Sequence, residues 1–232
     1  MSNGRVLVVC ASRGRPKNLY KMLDSVRKTS AFADVAVYID EDQSTDYPDI
    51  PDWVHVFYGP RIGQCRALDH LVKKLPGYDA YGAATDDSAF VTPGWDQWVL
   101  KTCRALPGGI GCIAPYSGGE GERMDFPWVT GKWLDAVGSF TLVGTHHSYW
   151  DVALQMLAES VEAMAFAQED EFKMWHEALL MGDGKDTQMN DVGKLTYLLY
   201  HVHNDARIVC VWCAHERLPF IRRLKDAIRE NS

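Results

Sequence analysis

Two adjacent aspartates, Asp86 and Asp87, are the strongest candidates for chemistry in this sequence of 232 residues. They follow a run of small and apolar residues at positions 78–84, and a Pro-Gly pair ends the segment soon afterwards. Neighbouring carboxylates repel each other unless a cation lies beside them, and hard oxygen ligands favour Mg²⁺ or Mn²⁺, which often retain substrate phosphates as further ligands. The pair therefore predicts a metal and diphosphate site, with an acidic surface turn as the alternative. In both cases we expect exposed carboxylates that stabilise the fold little.

A second group of candidates, Ser12, Arg13 and Arg15, follows the apolar run at residues 5–11. Pro16 suits the first turn of a helix, so the two arginines are expected to flank a helix N-terminus. Exposed amides and the helix dipole favour an anion at such a position. The segment predicts an anion-binding turn, and a plain surface turn is the alternative.

The elements that must position these residues are predicted from the hydrophobic pattern. Apolar runs at 5–11, 34–40, 53–58 and 78–85 are typical of buried parallel strands, and amphipathic helices with short links separate them. Such an order predicts one sheet with Arg13, Asp40 and Asp86 at the same rim. Asp40, at the end of the second strand, could accept hydrogen bonds from a ribose or a base, or belong to an acidic loop.

Composition restricts the class of protein. The formal net charge of −7 argues against strong nonspecific binding to nucleic acid, although a local basic groove remains compatible with it. The six cysteines lie mostly in apolar runs and are interpreted as reduced core residues. Neither a membrane span nor an N-terminal leader is evident, so we expect a soluble, cytoplasmic protein.

Several motifs together resemble those of the nucleotide-sugar glycosyltransferases with the GT-A fold, in particular the small glycosyltransferase-like proteins of bacteriophages and bacteria. The motifs lie at residues 12–19, 40–42, 85–87 and 92–96, and the resemblance is clear over residues 5–105. It implies a Rossmann-like α/β fold with a mixed, mostly parallel sheet flanked by helices. We expect a catalytic domain over residues 1–180 and a helical C-terminal extension over residues 181–232.

The resemblance also implies roles for individual residues. Asp40 would hold the nucleobase or ribose. The other residues implied at the nucleotide are Ser12, Arg13, Arg15, Arg66, Thr85 and Asp86.

The metal ligands that the resemblance implies are Asp86 and Asp87, although Ser88 stands where a strict Asp-x-Asp motif has its second acid. Residues 162–176 are predicted to form a closing β element, and His176 at its end is a candidate third ligand. Asp151, at the start of a helix, matches the general base of inverting relatives. A carboxylate that only stabilises the helix dipole is the alternative for Asp151.

The expected activity is the metal-dependent transfer of a sugar from a nucleoside-diphosphate sugar, with UDP as the expected nucleotide and Mn²⁺ or Mg²⁺ as the metal. The phage-like resemblance suggests a hydroxymethylated pyrimidine in DNA, a glycan or a protein as the acceptor. A nucleotidyltransferase and a noncatalytic sugar- or nucleotide-binding module are the alternatives.

Cys210 and Cys213, with His201, His203 and His215 nearby, suggest a zinc site as a separate hypothesis, although their spacing is not a standard one.

Overall fold

The structure is a computed structural model that describes residues 4–118, 124–142, 149–176 and 217–232, together with residues 204, 206–208 and 212. Strands and helices alternate along most of this length. The strands are β1 (Val6–Ser12), β2 (Asp34–Asp40), β3 (Val54–Gly59), β4 (Ala80–Thr85), β5 (Ser88–Phe90), β6 (Cys112–Ala114), β7 (Trp128–Thr130), β8 (Met164–Phe166) and β9 (Met174–His176). The helices are α1 (Pro16–Thr29), α2 (Gln64–Lys74), α3 (Trp95–Ala105), α4 (Gly131–Val137), α5 (Trp150–Glu159) and α6 (Arg217–Asn231). Short 3₁₀ helices cover Glu41–Asp46 and Pro107–Gly109.

Seven of the strands form one sheet in the order β3-β2-β1-β4-β7-β6-β8. Strand β7 runs antiparallel to both of its neighbours, and the other adjacent strands are parallel. Strands β1, β2 and β4 therefore end at one edge of the sheet, which we call the rim. This architecture confirms the predicted α/β fold with a mixed, mostly parallel sheet.

Helices cover both faces of the sheet because its central strands are apolar on both sides. In β1, Leu7 and Val9 face a core that includes residues of α2, α4 and α5, whereas Val6, Val8 and Cys10 face one built with α1 and α3. All five side chains are fully buried. A strand without polar alternation is thus explained by burial on two faces.

An aromatic layer fills the core on the α1 and α3 side. The Trp128 indole lies against the bare backbone of Gly82 in β4. A Cβ atom at this position would approach the indole to 1.9 Å, so only glycine allows the contact. Trp95 packs edge-on against Trp128 and stacks on Phe172, with ring centroids 5.2 Å apart in both pairs. Asp96, which the resemblance includes among its motifs, is buried and accepts hydrogen bonds from the amides of residues 31 and 32 after α1. Its role in this structure is therefore to hold the end of α1.

The connection between α5 and β8 fixes where α5 ends. Strand β8 is parallel to β6 and so begins at the edge opposite the rim. The Ala163 amide donates to the carbonyl of Ala158, which places the end of α5 beside the start of β8. A helix of 10 residues is about 15 Å long, so the first turn, which contains Asp151, lies about that far from the start of β8.

The predicted closing β element over residues 162–176 consists of two separate strands. Strand β8 extends the main sheet, whereas β9 pairs with β5 in a two-stranded sheet of its own. The pattern of residues 88–90 was too short to predict β5 from sequence. This small sheet matters for the site, because it begins directly after the acidic pair.

The structure also bears on the expectations for the cysteines, for membrane spans and for the C-terminal helix. Cys10, Cys65, Cys103 and Cys112 are free and buried, as predicted for core thiols. No helix in the described part of the chain combines the length and the apolar character that crossing a membrane requires. Helix α6 packs against α4 and the 3₁₀ helix Pro107–Gly109. The proposed domain boundary at residue 180 lies outside the described residues, as do Cys210, Cys213 and their neighbouring histidines.

Candidate active site

The guanidinium of Arg15 holds both members of the acidic pair at the end of β4. It donates from Nη1 to Asp87 Oδ2 at 2.9 Å and from Nε to Asp86 Oδ2 at 3.2 Å, and Nη2 pairs with Asp86 Oδ1. Asp86 is 1% exposed, and the side chains of Asp87 and Arg15 are 12% and 21% exposed. Gly14 has a positive φ of 68°, which turns the chain between β1 and α1 so that Arg15 can reach across to β4.

A chain of hydrogen bonds connects the backbone before α1 to Asp86. The Arg15 amide donates to Tyr47 Oη at 3.2 Å, and Ser12 Oγ lies 2.9 Å from the same oxygen. Ser12 in turn donates its proton to Asp86 Oδ2 at 2.8 Å. A serine has one proton to give, so Tyr47 must be the donor towards Ser12. The chain therefore ends on the carboxylate and favours its charged form.

Burial acts on Asp86 in the opposite direction and is the larger effect. It raises the pKa of Asp86 to about 6, although Arg15 and Ser12 both lower it. Asp87 contributes a further increase because it is a like charge nearby. Asp86 is thus charged at neutral pH, and its burial makes the charged form costly in free energy. Carboxylates that bind a cation or a ligand are often held in this way.

Arg13 forms a separate cluster with two acids that follow β2. Its Nη1 donates to Asp40 Oδ2 at 2.8 Å, and two further hydrogen bonds, of 2.6 and 2.8 Å, bind Asp42 through both carboxylate oxygens. Arg13 is 35% exposed and Asp42 is 58% exposed, whereas Asp40 is 12% exposed, so this cluster opens to solvent on the Asp42 side. The hydrogen bonds from Arg13 lower the pKa of Asp42.

The structure thus brings Ser12, Arg15, Asp86 and Asp87 into direct contact and places the Arg13 cluster beside them. The expectation that the acidic pair is exposed is wrong, because the first residues before α1 fold over the end of β4. Arg13 and Arg15 were expected to bind an anion at the start of α1, but each binds carboxylates of this chain instead.

Two predicted donor-site residues, Arg66 and Thr85, are not among the partners of the hydrogen bonds described above. Arg66 is exposed in the first turn of α2, and α2 begins after β3 reaches the rim. Thr85 is the last residue of β4, and its Oγ1 is buried with no hydrogen-bond partner in the described part of the chain. A buried oxygen without a protein partner can accept a hydrogen bond from a ligand that reaches the end of β4.

The other predicted residues are placed by their elements. The backbone of His176 in β9 is paired with Ser88, two residues after Asp86. Asp151 is half-buried in the first turn of α5. Tyr47 was missed by the sequence analysis. A tyrosine within an acidic, proline-containing loop carries no signal that it is buried, and only the fold reveals that it supports Ser12 and Arg15.

The fit of a divalent cation can be judged from the donor atoms. Among the described residues no cluster of three or more His, Cys, Asp or Glu side chains is arranged to hold a metal. The acidic pair nevertheless holds a cationic group already, the Arg15 guanidinium, and its oxygens are the hard donors that Mg²⁺ and Mn²⁺ prefer. The residues fit such an ion at the place of the guanidinium.

Comparison of the sequence with protein-family models and with curated proteins found no match. Comparison of the structure with solved structures did find matches. The mannosyltransferase PcManGT from Pyrobaculum calidifontis, in complex with GDP-Man and Mn²⁺, is 11% identical with a TM-score of 0.57, over 97% of this chain and 74% of that one.

The TarS protein of S. aureus also matches. Its structure for residues 1–349 has a TM-score of 0.56 at 7% identity, over 98% of this chain and 92% of that one. A longer TarS structure has a TM-score of 0.55 at 11% identity, over 74% of this chain, and the match covers only 36% of its length. At these identities the likeness concerns architecture. The chain has the GT-A fold.

Proposed function

We propose that this protein is a glycosyltransferase that moves a sugar from a nucleoside-diphosphate sugar to an acceptor hydroxyl. The observation that carries the proposal is the convergence of Ser12, Asp40 and the acidic pair at the ends of three adjacent parallel strands. Open α/β sheets bind their ligands at this edge. The match to a mannosyltransferase solved with GDP-Man and Mn²⁺ supports the same donor chemistry.

The donor would lie along the rim. Asp40 is our candidate for the ribose or base, because it ends β2 at the rim and its bond to Arg13 joins it to a cluster that opens to solvent at Asp42. Arg13, Arg66 and Thr85 are candidates for contacts with the nucleotide. We propose UDP as the nucleotide and a hexose as the sugar. A diphosphate needs cationic partners, and the two arginines at the rim would supply them once released from their carboxylates.

Asp86 and Asp87 would hold a divalent cation, with His176 as a candidate third ligand. When bound, Mn²⁺ or Mg²⁺ would neutralise charge on the leaving diphosphate. Arg15 and Ser12 orient both carboxylates before any ligand arrives, which reduces the reorganisation that binding requires.

Asp151 is our candidate for the general base. It lies in the first turn of α5, and a carboxylate in hydrogen-bond reach of the acceptor hydroxyl can accelerate transfer about 10²–10⁴-fold. The Asp151→Asn variant should keep its affinity for the donor and lose turnover by about that factor, because the amide keeps the shape but cannot take the proton. Full transfer to the acceptor by this variant would remove Asp151 from the mechanism.

The donor assignment is tested with a panel of UDP-sugars and GDP-sugars and their nucleotides. Thermal shift in the presence of Mn²⁺ or Mg²⁺ measures binding, and release of free sugar measures slow hydrolysis when the acceptor is unknown. Asp87→Asn should lose both responses. Asp24→Asn, which removes an exposed carboxylate paired with Lys28, serves as the control and should retain them. If no member of the panel shifts the melting temperature with either metal, the proposal is wrong.

The acceptor supplies the hydroxyl group that receives the sugar. Our candidate is a hydroxymethylated pyrimidine in bacteriophage DNA, with a glycan or a protein hydroxyl as the other substrate classes. The DNA candidate is tested by incubating labelled donor with DNA that contains hydroxymethylated pyrimidines, with unmodified DNA as the control. Label transferred to neither DNA would exclude the nucleic acid acceptor.

A further inference from the structure

The acidic pair is already bound to a cation that belongs to the chain. Arg15 contacts both carboxylates through three different nitrogens, and each contact lies in a largely buried setting. A guanidinium and a divalent metal ion need the same oxygens, so they cannot both be bound to the pair in this arrangement.

The charges at the rim show that this arrangement has no positive charge available for a diphosphate. One arginine and two aspartates leave Asp86, Asp87 and Arg15 with a net charge of −1 when all are ionised, and Arg13 with Asp40 and Asp42 gives −1 as well. Neither arginine is directed at solvent without a carboxylate beside it. A diphosphate approaching the rim would therefore be repelled until positive charge is added or an arginine is released.

We propose that Arg15 and the divalent cation are alternative occupants of the Asp86 and Asp87 pair, and that the cation displaces Arg15 when it enters with the diphosphate. The exchange adds positive charge in one step, because the metal takes over the carboxylates and the guanidinium becomes available to phosphate oxygens. This inference rests on the proposed function for the identity of the diphosphate, but the competition between Arg15 and the metal does not depend on it.

The fold allows the exchange without moving the strand end. Ser12 still donates to Asp86 when Arg15 leaves, and Tyr47 still supports Ser12. Arg15 lies at the exposed end of α1, one residue before Pro16, and its side chain is the most exposed of the three charged groups. The mobile partner is thus the arginine, and the carboxylates stay in place.

The first consequence concerns metal affinity in the absence of nucleotide. Arg15→Ala should bind Mn²⁺ at least about tenfold more tightly than the wild type, because the competing positive charge is gone. Free Mn²⁺ measured by electron paramagnetic resonance gives the affinity directly, and Arg15→Met, which keeps much of the aliphatic stem, is measured beside it. Circular dichroism establishes that each variant is folded.

Two controls locate the effect. Arg5→Ala removes the same charge from an exposed ion pair with Asp34, at the opposite end of the sheet, and should leave Mn²⁺ binding unchanged. Arg15→Ala combined with Asp87→Asn should lose the gain, because one of the two carboxylates is no longer charged. A gain that survives in the double variant would place the ion elsewhere and overturn the proposal.

The second consequence concerns UDP, which is used here as the diphosphate probe. UDP should tighten Mn²⁺ binding to the wild type more than it tightens binding to Arg15→Ala, since only the wild type has an arginine to transfer to the phosphates. The double variant, titrated in parallel, corrects for Mn²⁺ bound by UDP in solution. Equal effects of UDP on the two proteins would contradict the transfer of Arg15.

The experiment separates this inference from the proposed function. Unchanged Mn²⁺ affinity in a folded Arg15→Ala or Arg15→Met variant overturns the exchange even if the protein hydrolyses nucleotide sugars. Tighter Mn²⁺ binding in these variants, lost again with Asp87→Asn, supports the competition even if no nucleotide sugar is a substrate.

Discussion

Arg13 and Arg15 are two residues apart, yet the two ion-pair clusters that they form differ in almost every physical respect. Arg13 binds Asp42 where the carboxylate is 58% exposed, so that salt and water weaken the attraction, and only its second partner, Asp40, is largely buried. Arg15 binds Asp86 and Asp87 where Asp86 is sealed from solvent. Residues of the same type in one loop therefore lie in different environments, because one cluster opens to solvent at Asp42 and the other is built into the end of a core strand.

The difference also appears in the pKa values of the acids. Hydrogen bonds from Arg13 lower the pKa of Asp42, whereas burial raises the pKa of Asp86 to about 6 despite its contacts with Arg15. The exposed cluster favours the charged acid, and the buried cluster holds it against a desolvation cost. Functional sites often retain charges of this second kind.

The largest expected difference between the clusters is in stability. Asp86→Ala leaves a largely buried guanidinium and Ser12 without one of their carboxylate partners, and should lower the free energy of unfolding by roughly 3 kcal/mol. Asp42→Ala removes an exposed partner and should leave the unfolding midpoint unchanged within error. Urea denaturation of both variants measures the contrast, and equal losses would show that burial does not distinguish the two clusters.

The pH dependence of stability should have opposite signs at the two acids. Asp86 has a raised pKa in the folded state, so its contribution is fully present below the unfolded value near 3.8 and is lost as the pH rises through about 6, on the order of 3 kcal/mol. Asp42 has a lowered pKa, so its contribution is present above the unfolded value and is lost as the pH falls through the folded one.

Denaturation in EDTA between pH 3 and pH 7, with Asp86→Asn and Asp42→Asn beside the wild type, measures these signs. Relative to the wild type, Asp86→Asn should gain stability as the pH rises from 4 to 6. Asp42→Asn should show its smaller difference at the acid end of the range. A difference between the wild type and Asp86→Asn that does not change with pH would mean that burial does not control this carboxylate.

The smallest expected effect sharpens the comparison at Tyr47, which supports only the buried cluster. Tyr47→Phe removes the hydroxyl that accepts from the Arg15 amide and donates to Ser12, at an expected cost of about 1 kcal/mol. It should also weaken UDP-dependent Mn²⁺ binding, because Ser12 would hold Asp86 less firmly. The Tyr20→Phe variant removes a hydroxyl that accepts from the exposed Asp49 amide and is the matched control. The same loss of Mn²⁺ binding in both variants would argue against a positioning role for Tyr47.

The hydrophobic pattern predicted the central strands and the common rim of Ser12, Asp40 and Asp86, because strands buried on both faces are continuous apolar runs. It could not predict which arginine binds which acid. That choice depends on the turn at Gly14 and on the way α1 begins, which are tertiary features. The same reason explains Tyr47, which the chain buries from a polar loop, and β5, in which Ser88 lies opposite His176, 88 residues later in the chain.

The central claim is that the acidic pair at the end of β4 binds a metal ion and a nucleoside diphosphate in exchange for Arg15. Crystals soaked with Mn²⁺ and UDP, and measured for the anomalous signal of manganese, test it most directly. The account predicts a manganese peak in contact with Asp86 or Asp87, the diphosphate beside it, and the Arg15 guanidinium moved from the carboxylates to phosphate oxygens. UDP bound at another edge of the sheet, or a manganese ion at the pair with Arg15 still in contact with both carboxylates, would contradict it.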